Sequence, residues 1–203
     1  MTMTEQEWLA CNDPRRMMDF VRGKSSDRKL RLFVCGYLRT FLPRHNDELS
    51  QEALEMSERF ADGLAAAEDL EACRSKARAT ARTGNKAAQL AVDAAFLNLP
   101  RAIEQVFGDL TTHADKRNKV QLLHDLWGPV LFRRLPIEPS WLTPRVVELA
   151  RSIYADRSFD RLPALADALE EAGCHDADIL GHCRGPGLHV RGCWVLDLIL
   201  GKA

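Results

Sequence analysis

The chain has 203 residues, 46% apolar and 28% charged, with a formal net charge of −1. That suits one sizeable core or two small lobes, and it leaves no global basic field for nucleic acid and no apolar run of bilayer length. The polar start MTMTEQEW lacks the pattern of a signal peptide, so the expectation is a cytoplasmic protein with reduced cysteines and no membrane association.

Taken in chain order, Thr4-Glu5-Gln6-Glu7 has capping-box spacing and predicts a short helix carrying Trp8 and Leu9. Asp13-Pro14 predicts a second, with Pro at the first helical position and Met17, Met18, Phe20 and Val21 along it. LRLFVCGYLRTF is the clearest helical stretch. Leu30, Phe33, Val34, Tyr37, Leu38 and Phe41 recur at the spacing of one apolar face. Ser25 or Ser26 caps its start and Pro43 stops it. Each of those six side chains contributes about 1.5–3 kcal/mol if buried, so this helix is expected at the centre of a core.

Residues 46–62 predict an amphipathic helix with Leu49, Ala53, Met56 and Phe60 on one side. From Ala65 to Leu99 the chain is alanine-rich, with Gly84-Asn85 as the expected break between two helices. Between Val106 and Trp127 one more helix is predicted, strongest at Val120, Leu122, Leu123, Leu126 and Trp127. In GPVLFRRLPIEPSW, Pro129, Pro136 and Pro139 exclude a continuous helix, so an extended connector is expected. Thr143-Pro144 then caps a helix whose face is Val146, Leu149, Ala150, Ile153 and Tyr154. Asp160 is expected to cap the next, with Leu162, Leu165, Ala166 and Leu169, ended by Gly173. Asp176 caps a short helix through Cys183, and a final helix is predicted from about His189 to Leu200. No segment shows strict alternation. The expected fold is therefore all-α: an irregular bundle of nine or ten short helices in two packed lobes. Its expected divisions are an N-terminal lobe over 1–128, a Pro-rich connector over 129–142 and a C-terminal lobe over 143–203.

Charge is patterned despite the neutral total. Residues 15–44 hold nine Lys/Arg and two Asp/Glu, and residues 47–71 hold nine Asp/Glu and one Arg. Complementary exterior faces account for this, and a basic surface for an acidic partner or a nucleic-acid backbone is the alternative. The aromatics there follow the apolar face and are not interleaved with the basic residues, which is unlike a single-strand stacking platform.

The stretch GCHDADILGHCRGPGLHVRGCW holds three of the six cysteines and three of the six histidines. Three readings compete. Cys174, His182, His189 and Cys193, with Cys183 an alternative to its neighbour His182, supply ligand types for zinc, and a helix starting near His189 would put His189 and Cys193 on one face. Arg184, Gly185, Gly187 and Arg191 have the make-up of an anion- or partner-binding turn before a helix N-terminus. The plain alternative is a chain reversal, with the cysteines as small packing residues.

Catalytic patterns are missing. There is no G-x-S-x-G elbow, H-E-x-x-H helix, Walker loop or C-x-x-C pair, and His113 and His124-Asp125 have no evident nucleophile beside them. The functional expectation is a non-catalytic interaction or adaptor module for an unknown protein partner. The alternatives are a structural zinc-stabilised domain, and nucleic-acid or anion binding through residues 15–44 or the RGPGLHVRG loop.

Two blocks carry a resemblance, EWLACNDPRRMMDFVRGKSSDRKLRLFVC and FDRLPALADALEEAGCHDADILGHCRGPGLHVRGCWVLDLILGK. On these the chain resembles a bacterial protein family common in planctomycete-type genomes. Members often carry more cysteines where this chain has Cys35-Gly36-Tyr37. The resemblance implies no catalytic residues and no particular activity.

Overall fold

The computed structural model describes residues 2–40, 48–80, 99–108 and 113–202. Among them lie eleven α-helices and no strand. The helices are α1 (Glu5–Ala10), α2 (Pro14–Val21), α3 (Asp27–Arg39), α4 (Glu48–Ala61), α5 (Ala67–Thr80) and α6 (Leu99–Gly108), followed by α7 (His113–Trp127), α8 (Pro144–Asp156), α9 (Leu162–Glu171), α10 (Ala177–Arg184) and α11 (Trp194–Leu200). None of them is long and apolar enough to cross a membrane. The all-α expectation holds.

Local chemistry sets many of the helix ends. Thr4 and Glu7 close a capping box, each side chain accepting from the other's backbone N–H at 2.8 and 3.2 Å. Asp13 caps α2, Ser26 caps α3, Thr143 caps α8 and Asp176 caps α10. After α9, Gly173 takes φ +91°. Its N–H donates to the Glu170 carbonyl and that of Cys174 to the Leu169 carbonyl, the paired closure that a left-handed glycine permits.

The chain divides into two compact units. One is Cys11–Val120; the other joins Thr2–Ala10 to Gln121–Ala203. The boundary falls within α7, and the 129–142 segment lies inside the second unit. There it forms two 3-10 turns, Gly128–Leu131 and Pro139–Trp141, with Leu135 in the core.

In the first unit α3 is central. Its residues 30–38 are all buried, and it packs against α4 and α6 while α4 packs on α5. Arg31 is buried with its guanidinium over the Phe60 ring, and burial pulls its pKa below the usual arginine value. Tyr37 donates to Asp115, whose other oxygen accepts from Lys119 at 2.7 Å, and all three side chains are buried. In the second unit α8 packs on α9 and α11, and α10 packs on α9 and α11. Val146, Ile153, Leu162, Leu165, Leu169, Ile179, Val195 and Leu196 fill the middle.

Several expected elements need correction. Between 106 and 127 the described residues fall in two helices, with 106–108 ending α6 and His113–Trp127 forming α7. Asp160 does not cap α9; it lies in a 3-10 turn, and Arg161 takes the cap position without a side-chain bond. The last helix starts at Trp194, so His189 is outside it. In the segment before it, the Val190 N–H donates to Asp125 and the Cys193 N–H to the Val190 carbonyl. Pro43, Arg44 and Gly84-Asn85 lie outside the described residues.

Candidate functional site

Asp125 enters the second unit's interior from the last turn of α7. It occupies a helical stripe otherwise made of Leu122, Leu123 and Leu126, and its side chain is 1% exposed. A carboxylate there requires partners, because an uncompensated buried charge costs several kcal/mol. The partners come from the last turn of α10 and from the turn between α10 and α11. His189 Nδ1 lies 2.7 Å from Asp125 Oδ1, His182 Nε2 lies 3.2 Å from the same oxygen, and the Val190 N–H donates to Oδ2 at 2.9 Å. Burial alone would raise the Asp125 pKa, but the hydrogen bonds from His182 and His189 outweigh it and hold the carboxyl below its usual range. At His189 burial works against a charged ring. The Asp125 hydrogen bond and charge overcome that and raise its pKa.

Cys193 completes the group. It sits at the residue before α11, with its Sγ 3.1 Å from His182 Nε2. Burial first, and then the Asp125 charge, push its thiol well above the ordinary value; the Leu196 and Val195 amides only partly oppose this. One ligand-type atom each from Asp125, His182, His189 and Cys193 lies within 4.8 Å of every other.

A second layer orients the histidines. The Trp194 indole Nε1–H donates to His182 Nδ1 at 3.0 Å. The indole occupies that place because residue 128 is glycine. Gly128 has φ +45°, and a Cβ there would lie 2.5 Å from Trp194 Nε1. On His189 the far nitrogen, Nε2, is buried and has no hydrogen-bond partner among the described residues. Asp125, His182 and His189 border a cleft of about 260 Å³, completed by Gln121, His124 and the Gly185–Leu188 turn.

The arrangement is not a nucleophilic triad. Cys193 and Asp125 both approach the same nitrogen of His182, whereas a relay requires opposite ring nitrogens. The mixed oxygen, nitrogen and sulfur donors are those of a borderline-soft divalent ion such as zinc.

Of the residues named from sequence for metal binding, the structure brings His182, His189 and Cys193 together. Cys174 is elsewhere, buried in the core after α9, and Asp125 stands in its place. Helical spacing does not bring His189 and Cys193 together; the turn through Gly192, at φ +89°, does. Cys183 is buried on α10 outside the group, with burial and then the Asp125 charge pushing its thiol up to about 12. Asp125 was missed because a titratable residue next to His124 reads as a helix surface. The available signal was its i+3 spacing from Leu122, which puts it on the apolar stripe.

The anion-binding candidates are committed within the second unit. Arg184 pairs with Glu170 and Asp167 at 2.7 and 2.8 Å. Arg191 donates to the carbonyls of Tyr154 and Ala155 at 3.2 and 2.9 Å, closing the C-terminus of α8. Gly185 and Gly187 form the rim of the cleft. In the first unit, Arg15 and Arg22 meet Glu104, Arg28 meets Asp62, and Arg39 meets Glu58 and Glu55. Comparison with protein-family models, with curated proteins and with solved structures finds no match for this chain.

Proposed function

We propose that the second unit is a helical module that binds one transition-metal ion, of the zinc class, within the cluster formed by Asp125, His182, His189 and Cys193. The observation that carries this reading is the convergence of four ligand-type atoms from three separated stretches of chain within 4.8 Å. A tetrahedral ion with bonds of zinc length spaces its ligand atoms by about 3.3–3.7 Å. The separations of 2.7, 3.1 and 3.2 Å fall short of that spacing within a group whose atoms lie within 4.8 Å of one another, so an ion enters as the side chains shift apart around it.

Electrostatics supports the same reading. Without a cation the Asp125 charge disfavours a thiolate at Cys193; a divalent ion between them reverses that effect. Bound metal would tie the end of α7 to the turn before α11 and stabilise the unit. The experiment is elemental analysis of protein purified without chelator, followed by zinc titration of chelator-treated protein. One ion per chain, lost in Asp125→Ala and Cys193→Ala, is the expected result. No stoichiometric binding in the intact protein would leave the cluster as a hydrogen-bonded packing device.

A further inference from the structure

We infer that His182 is not among the ligands, so that the ion has three protein ligands, Asp125, His189 and Cys193, and a fourth position open to a small ligand from the cleft. The inference deepens the metal-binding reading and rests on it.

The argument turns on where each histidine can hold its ring proton. The indole nitrogen of Trp194 only donates hydrogen bonds, so at 3.0 Å from His182 Nδ1 it requires that nitrogen to accept. An uncharged ring that accepts at Nδ1 carries its proton on Nε2. Nε2 is the nitrogen facing Asp125 and Cys193, and a protonated nitrogen has no lone pair for a metal. His182 instead donates to Asp125 and Cys193, the task of a group that orients ligands from behind.

His189 is placed in the opposite way. Metal-bound histidines donate their outer N–H to a carbonyl, carboxylate or water. The outer nitrogen of His189 is buried next to Gly187 at the border of the cleft and has no hydrogen-bond partner among the described residues. Its ring proton can therefore move from Nδ1 to Nε2, leaving the Nδ1 lone pair for the ion. The Cys193 thiol proton leaves to solvent as its sulfur bonds the metal. Asp125 and thiolate together balance the divalent charge, and three ligands leave a tetrahedral ion one position short. The cleft bordered by Asp125, His182 and His189 supplies space for water or a small anion there, and Gly185, Pro186 and Gly187 line it without a metal-ligating side chain.

The test uses cobalt(II), whose visible spectrum reports coordination. The intact protein is loaded with one equivalent of cobalt and titrated with thiocyanate. A spectral shift that saturates is expected. Bound cobalt with no response to the anion means a closed four-ligand site and overturns the inference. His182→Gln is expected to keep one cobalt per chain, the sulfur-to-cobalt band and the anion response, with affinity lower by about 10- to 100-fold; loss of the band at saturating cobalt makes His182 a ligand and also overturns it. If that variant does not fold, the wild-type titration decides. Failure of the intact protein to bind cobalt at all removes the underlying metal reading, an outcome separate from the other two.

Discussion

At the scale of single residues, the second unit depends on a glycine that touches none of the titratable groups. Gly128 gives the Trp194 indole its place, and the indole fixes the His182 ring. Gly128→Ala brings a Cβ to within 2.5 Å of the indole and forces φ +45° on a residue with a side chain. The expected cost is about 1–3 kcal/mol in urea unfolding, with a change in Trp194 fluorescence as its environment shifts. A variant as stable as the wild type would mean that the indole is not held as described. The thiols give a second prediction. Burial, followed by the Glu58 charge, raises the Cys35 thiol to about 12, and Cys183 is raised similarly by burial and Asp125. A rise from 9 to 12 lowers the thiolate fraction by about 1,000-fold. Native protein treated with iodoacetamide near pH 7.5 is therefore expected to be modified at half-exposed Cys11 and not at Cys35 or Cys183. Peptide mass spectrometry reads the outcome, and rapid labelling of Cys35 would contradict its burial.

At the scale of elements, helix starts show what local sequence controls. Thr143 and Asp176 each accept from backbone N–H groups that the helix leaves unpaired. Thr143→Ala and Asp176→Ala are each expected to cost about 1 kcal/mol. Asp160→Ala is expected within about 0.5 kcal/mol of wild type, because Asp160 lies in a turn and caps nothing. Denaturant midpoints for the three variants check this ordering. The same contrast explains which elements were legible. Capping boxes, Asx caps and the glycine stop after α9 act within a few residues, so spacing alone identified them. The start of α11 was misplaced because Leu188 to Val195 has enough apolar residues to continue a helical stripe backward. Yet that segment turns at Gly192, and its Val190 N–H is satisfied by Asp125, 65 positions away. A local pattern contains no information about such a partner.

At the scale of the whole molecule, the charge segregation along the chain is answered by ion pairing. Arg28 and Arg39, from the basic segment, meet Asp62, Glu55 and Glu58 from the acidic one. Arg15 and Arg22 share Glu104. A segment that is strongly basic in sequence thus presents a partly cancelled field, and the net charge is −1. The expected behaviour on a heparin column is elution below about 0.15 M salt. Retention that weakens steeply with added salt would instead point to a polyanion-binding face. On the proposed metal binding, linkage acts at this scale too. A ligand at 1,000 times its dissociation constant stabilises the native state by about 4 kcal/mol, so chelator treatment is expected to lower the melting temperature and zinc to restore it. No change on chelation would sink the linkage.

What the sequence by itself determined is the helical class, the buried stripe of α3 and most helix caps, since each depends on neighbours within a turn or two of the chain. The site itself was only partly determined: the donors in the C-terminal stretch were visible as residue types, but not their set. Tertiary structure alone put Asp125 in the group in place of Cys174, engaged Arg184 and Arg191 within the second unit, and set Trp194 against His182. The physical reason is range. Helix formation and capping are short-range equilibria of the backbone, whereas a buried carboxylate, a ring proton and a metal-ligating geometry depend on which distant side chains the packed core brings within hydrogen-bonding distance.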